Sequence, residues 1–174
     1  DFGIFWRVRS LMQYKEQNTH GITSEVVLRM FTDKSYFLNK YNKVGATDVE
    51  VLDCVQTEST FSITTSRQVA VEAPVPVFAK KLVPDRITVI QTDTWNLKSK
   101  TGTLDIQFKG VPVAITCAMS LRDQGSECIQ DLNFTLKVNV PLIGGKLEQL
   151  LADDLRHKFA ADAAAARELL ADYS

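Results

Sequence analysis

Apolar positions change their spacing three times along the chain. Residues 13–20 (QYKEQNTH) are almost wholly polar and suit an edge strand. From Ser24, a candidate cap, Val26, Val27, Met30 and Phe31 fall at helical spacing. A second short helix is expected over 34–41, capped by Asp33 and broken near Gly45. The period then becomes two. Residues 47–55 alternate, and over 59–71 Phe61, Ile63, Thr65, Arg67, Val69 and Val71 share one face. A segment marked by Pro74, Pro76 and Pro84 interrupts the strands and suits a short helix beginning at Pro76. Strands resume at 86–96, 101–109, 112–122 and 127–139, separated by short turns that make them hairpins of an antiparallel meander. After Pro141 and Gly144-Gly145 the period returns to 3.6. Leu147, Leu150, Leu151, Leu155, Phe159, Ala163, Ala166, Leu169, Leu170 and Tyr173 form one stripe on a helix running to about residue 172. At ~1.5 Å per residue that helix spans roughly 40 Å, and the sheet is the surface long enough to cover it.

The predicted fold class is therefore α+β. One curved antiparallel sheet of about seven strands surrounds a long C-terminal helix, with two short helices after the first strand. Strand parity gives the buried face. It holds Leu104, Ile106 and Phe108, then Val113, Ile115, Cys117, Met119 and Leu121, then Leu132, Phe134, Leu136 and Val138. With Gln124 and Gly125 as the last hairpin loop, Asp123 faces Ser126, Cys117 faces Leu132 and Cys128 faces Leu121. The two thiols are then not opposed.

Composition narrows the class. The chain has 174 residues, 45% of them apolar and 24% charged, which suits one domain with a sizeable core. Lys plus Arg count 20 against 21 Asp plus Glu, for a net charge of -1. No nucleic-acid partner is expected from that balance. No apolar run reaches the ~18 residues of a membrane-spanning helix. The three cysteines, Cys54, Cys117 and Cys128, are odd in number and lack C-x-x-C spacing. They fit small apolar residues in a reducing cytoplasm better than a disulfide scaffold. Residues 1–11 (DFGIFWRVRSL) precede Met12 and lack the apolar core and cleavage site of a signal peptide. They are set apart as an N-terminal extension or vector remnant. The alternative is a short anchor in which Ile4, Phe5 and Trp6 pack on a neighbour. The ligand-binding domain is taken as residues 12–174.

The order of elements, with SRQVAVEAPVPVFAKKLVPDRITVIQTDTW (66–95) and VNVPLIGGKLEQLLADDL (138–155), resembles the helix-grip fold of the START-like superfamily. That group includes the birch-pollen-allergen proteins, lipid-transfer START domains and polyketide cyclases. The nearer likeness is to a bacterial branch of unknown function. The resemblance implies a cavity between sheet and long helix that holds an apolar ligand. It does not fix an activity.

Two strands carry polar residues on the buried face. On 86–96 that face is Ile87, Val89, Gln91, Asp93 and Trp95, and on 59–71 it includes Thr65 and Arg67. Buried charge is costly unless paired or wetted. An Arg67–Asp93 pair with Gln91 alongside satisfies it, and such a group suits the polar head of an amphiphile. A structural ion pair, or a bulge turning these side chains to solvent, gives the same pattern. The expected ligand-lining set is Phe61, Ile63, Arg67, Val89, Gln91, Asp93, Trp95, Ile106, Met119, Phe134, Leu151, Leu155 and Phe159. Inward aromatic residues also build ordinary cores. The segment 74–83, with Val77, Phe78 and Leu82, is a candidate lid or simple packing over the sheet end.

Other chemistry is rejected. Gly144-Gly145-Lys146 fails as a phosphate loop, because Val140 and Leu147 occupy its defining positions. His20 and His157 lie far apart in sequence; His157 falls off the apolar stripe, and neither builds a triad or a metal cluster. Asp154 is placed to meet Lys158 four residues on. No cofactor, metal or catalytic set is expected. Three functions stay open: a carrier for a small hydrophobic or amphipathic ligand, a cyclase- or hydratase-like enzyme using Arg67, Asp93 and His20, and an interaction module with a filled core. Oligomeric state is not readable.

Overall fold

A computed structural model describes residues 10–138, apart from 73, 78, 79 and 82, together with residues 145–174. The elements are β1 (Ser10–His20), α1 (Ser24–Phe31), α2 (Lys34–Lys43), β2 (Thr47–Gln56), β3 (Thr60–Ala70), β4 (Arg86–Asn96), β5 (Thr101–Phe108), β6 (Val113–Gln124), β7 (Glu127–Val138) and α3 (Gly145–Leu169). A 3-10 turn over Leu170–Tyr173 follows α3. Seven strands form one curved antiparallel sheet in the order β1-β7-β6-β5-β4-β3-β2. This is the helix-grip architecture expected from the sequence.

Local chemistry fixes the helix ends. Asp33 caps α2, accepting from the Ser35 N–H at 3.0 Å, as its position predicts. Ser24 is not the cap of α1; Thr23 is. Ser24 instead begins the helix and gives both its N–H and its hydroxyl to the Asp123 carboxylate, at 2.6 and 2.8 Å. That ties α1 to the end of β6. Gly45, with φ 85°, ends the α2 connection in a conformation that suits glycine.

The hairpin meander forms with one change of register. Asp123 pairs with Cys128, Gln124 with Glu127, and Cys117 with Phe134, so the loop is Gly125-Ser126 and not Gln124-Gly125. Gly125 has φ 63°, and the primed turns of two-residue hairpins need positive φ at the first loop position. The slip is two residues in pairing, so every side chain keeps its face. All three thiols are free.

The buried face is the one parity predicts: Phe61, Ile63, Val89, Trp95, Ile106, Ile115, Phe134 and Leu136 are each almost wholly enclosed. Full burial of a side chain of this kind stabilises by about 1.5–3 kcal/mol. β2 departs from simple alternation. Its pairing with β3 shifts between Thr47 and Glu50 and again between Val51 and Asp53, and Leu52 and Val55 are exposed. α3 lies over the sheet, with Leu151 and Ala166 buried and Leu155 and Phe159 half-buried, and Leu170 of the 3-10 turn is buried after it. The 3-10 turn fastens the chain's end, since Tyr173 Oη donates to Asp33 Oδ2 at 2.6 Å. The expected Pro141–Gly144 turn, and Phe78 and Leu82 of the proposed lid, lie outside the described residues. The described part of that segment holds a turn from the Val77 carbonyl to the Lys80 N–H.

Candidate functional site

Between α3, α2 and the sheet lies a cavity of about 210 Å³. Its room comes from a size mismatch. α3 turns Ala160, Ala163 and Ala166 to it, whereas the sheet opposite supplies Trp95, Leu104, Met119, Leu132 and Phe134. Small residues on the helix hold it over the sheet without filling the gap. Phe31 of α1 and Tyr36, Phe37 and Lys40 of α2 close one side. Exposed Glu16, Arg156 and Arg167 also bound it and mark its solvent side.

Two aromatic clusters wall the cavity. Phe31 stacks on Trp95 at 5.8 Å between ring centres, and Phe134 meets Phe159 at 4.5 Å and Tyr14 at 4.7 Å. Arg156 lies over the Tyr14 ring at 5.0 Å. Thus β1, β7 and α3 share one aromatic column.

The polar end is built by β3, β4 and α2. The expected direct Arg67–Asp93 pair does not form, and register explains why. Arg67 pairs with Val89 and Ile63 with Asp93, which sets the two charges four residues apart along the strands. Gln91, diagonal to Arg67, spans the gap. Arg67 Nη2 donates to Gln91 Oε1 at 3.0 Å, and Gln91 Nε2 donates to Asp93 Oδ1 at 2.8 Å. All three residues are buried. The Arg67 guanidinium also stacks over the Tyr41 ring at 4.0 Å. Burial pushes the Asp93 pKa above the ordinary carboxylate value, although Lys40, the Gln91 hydrogen bond and Arg67 pull it down.

Lys40 is the functional candidate that sequence reasoning missed. It is 7% exposed, and its ammonium lies 5.1, 5.2 and 4.7 Å from the ring centres of Tyr36, Phe37 and Tyr41. Burial opposes its charge. Asp162 and Asp93, with Tyr36 and Tyr41 once these ionise at high pH, outweigh that and raise its pKa. Burial raises the Tyr36 and Tyr41 hydroxyls in turn, so both rings are neutral near pH 7. A signal was present in the sequence: Tyr36, Phe37 and Tyr41 define one helical face, and Lys40 falls inside it.

The structure brings Gln91, Asp93, Trp95, Met119, Phe134 and Phe159 of the expected set onto the cavity wall. Arg67 stands behind that wall through Gln91. Phe61, Ile63, Val89, Ile106 and Leu151 are buried in the surrounding core, and Leu155 is half-buried on α3. His20 lies beside the cavity. Its Nε2 meets Gln130 Oε1 at 3.0 Å, and burial lowers its pKa against that hydrogen bond. His157 is exposed on α3, and Lys158 meets Asp154 at 2.6 Å. Among the described residues, no three His, Cys, Asp or Glu side chains converge as metal ligands. Among the same residues, no helix is long and apolar enough to cross a membrane.

Comparison with solved structures finds the same fold repeatedly. The Thermus thermophilus protein TTHA0849 aligns with TM-score 0.67 and 11% identity over 94% of this chain and 99% of its own. Ara h 8.0201 aligns with TM-score 0.66 and 7% identity over 94% and 99%. The ZhuI aromatase/cyclase of Streptomyces sp. R1128 aligns with TM-score 0.59 and 11% identity over 92% and 96%. At these identities the likeness is one of fold, the helix-grip architecture described above. No curated protein sequence matches. The family described as "Protein of unknown function (DUF2505)" matches residues 17–170, nearly the whole described fold, and the chain belongs to that family.

Proposed function

We propose that the protein binds a small hydrophobic or amphipathic ligand in the cavity between sheet and α3. One observation carries this reading. An aromatic-walled cavity of about 210 Å³ ends on a buried polar group, Lys40, Gln91 and Asp93, that a dry core has no reason to hold. Burying two ionisable side chains opposes folding unless something uses them. Trp95, Phe134 and Phe159 supply the apolar contact in this reading, and Gln91 and Asp93 orient the ligand's polar end. Neighbours of the same fold include a protein named as an aromatase/cyclase, which is consistent with a cavity that takes organic ligands. The three free thiols are consistent with a reducing, cytoplasmic setting.

Native mass spectrometry of the purified protein, followed by extraction under denaturing conditions, tests the reading. A stoichiometric bound amphiphile is the expected result. Ala163→Phe supplies the control, because a phenyl group on α3 occupies the space directly. Loss of the bound species in this variant, with its melting temperature held or raised, ties the ligand to the cavity. Retention of the species places it elsewhere and refutes the reading.

A further inference from the structure

Donors outnumber free acceptors at the cavity's polar end. Gln91 Oε1 and Asp93 Oδ1 already accept hydrogen bonds, which leaves Asp93 Oδ2 as the free carboxylate oxygen there. Arg67 Nη1, Tyr41 Oη and Thr65 Oγ1 are enclosed with no partner among the described residues. Lys40 Nζ enters none of the ion pairs or hydrogen bonds among those residues, yet Lys40 lines the cavity and is more than nine-tenths buried. Aromatic faces stabilise its charge but accept none of its protons in a normal hydrogen bond. Unlike those three enclosed atoms, Nζ opens onto the cavity, and a largely buried ammonium with no protein oxygen paired to it among the described residues favours an oxygen there.

Charge selects the kind of oxygen. Two buried cations, Lys40 and Arg67, share the Tyr41 ring, at 4.7 and 4.0 Å. One buried carboxylate, Asp93, stands with them, and half-buried Asp162 of α3 lines the same cavity. A single negative charge has a cation ready at Lys40. A doubly charged head would meet Asp93 and Asp162, with no further buried cation on the wall among the described residues. Volume selects the rest. At about 210 Å³ the cavity is smaller than a typical drug-sized site. It suits one or two fused rings lying against Trp95 and Phe134.

We propose that the cavity takes a small aromatic carboxylate, its anionic head on Lys40 Nζ and its ring against Trp95 and Phe134. This deepens the ligand-binding reading above and rests on it. The test pairs 2-naphthoate with its neutral analogue 2-naphthalenemethanol, titrated against the full chain by calorimetry at pH 7. Naphthoate is expected to bind roughly ten-fold or more tighter, the size of one charge-assisted hydrogen bond. In Lys40→Met the ratio is expected to fall to about one. Wild-type selectivity decides the carboxylate class even if that variant folds poorly, and Arg156→Gln/Arg167→Gln then decides between Lys40 and the mouth. Equal binding of both probes, or tighter binding of the alcohol, overturns the carboxylate assignment and leaves the cavity reading standing. Binding of neither overturns both. A preference that survives Lys40→Met and disappears in Arg156→Gln/Arg167→Gln places the anion at the mouth and overturns the role of Lys40.

Discussion

Gly102→Ala is a small change with a calculable consequence. Gly102 sits in β5 directly opposite Trp95 of β4. A Cβ there would lie 2.6 Å from the Thr94 carbonyl oxygen and 2.8 and 2.9 Å from Cδ2 and Cε3 of Trp95, against 3.4 Å or more for ordinary contact. The oxygen belongs to the backbone of the neighbouring strand and cannot rotate away. The indole is 1% exposed, stacked on Phe31 and part of the cavity wall. Overpacking of this kind costs about 1–3 kcal/mol. The lower unfolded-state entropy of Ala returns at most about 1 kcal/mol. The balance is destabilising, and at roughly 2–4 °C per kcal/mol for a chain of this size the melting temperature falls by several degrees. Far-UV circular dichroism gives the melt. Tryptophan emission should shift as well, because the ring must leave its slot to relieve the contact. An unchanged melting temperature with unchanged emission would falsify the packing argument, since it would mean the two strands separate at no cost.

Asp93→Asn reads the buried carboxylate. The Asp93 pKa is raised, chiefly by burial, so the fold favours its protonated form. That contribution is complete below the unfolded value near 4 and is lost as pH rises through the folded value. Asn keeps the oxygen that accepts from Gln91, so the variant should gain stability relative to wild type as pH climbs above about 4. A melting-temperature difference that does not change with pH counts against this. Thiol chemistry separates the cysteines. Cys117 and Cys128 are buried, with pKa pushed up by burial to about 12 and about 11, while Cys54 is exposed on β2. Iodoacetamide on the native protein should label Cys54 alone, and mass mapping of a second labelled site would show that the core opens.

Much of this fold is written in alternation. Each strand from Thr60 to Val138 buries the face its parity assigns, because a one-residue slip would turn Phe61, Trp95 and Phe134 to water. The register of the β6–β7 hairpin was not legible. Gln124-Gly125 and Gly125-Ser126 loops leave the same residues facing in, and only the backbone angle at Gly125 separates them. The polar end was half legible. Arg67, Gln91 and Asp93 share a face by parity, but how two strands align decides that Gln91 stands between the charges. Lys40 was the hardest to read. A lysine next to tyrosines on a short helix is ordinarily a solvated tip on an amphipathic stem. Its burial depends on α2 packing on β3, through Phe37 on Phe61 and Tyr41 on Arg67, and the only local trace is that Lys40 shares the face of Tyr36, Phe37 and Tyr41. The cavity itself follows from Ala160, Ala163 and Ala166, whose alanines favour a helix equally well whether they touch a neighbour or leave a gap.

The sheet order has a consequence for synthesis. β1 pairs along its whole length with β7, so residues 10–20 find their partner only in residues 128–138. More than a hundred residues separate the two, and at about 5–20 residues per second the ribosome takes roughly 5–25 s to supply the second strand after the first. For that interval Tyr14 has no aromatic column to join. The hairpins from β3 to β6 have their partners as they emerge, whereas β1 has none until β7 is made, and α3 must follow before the cavity is walled on its other side.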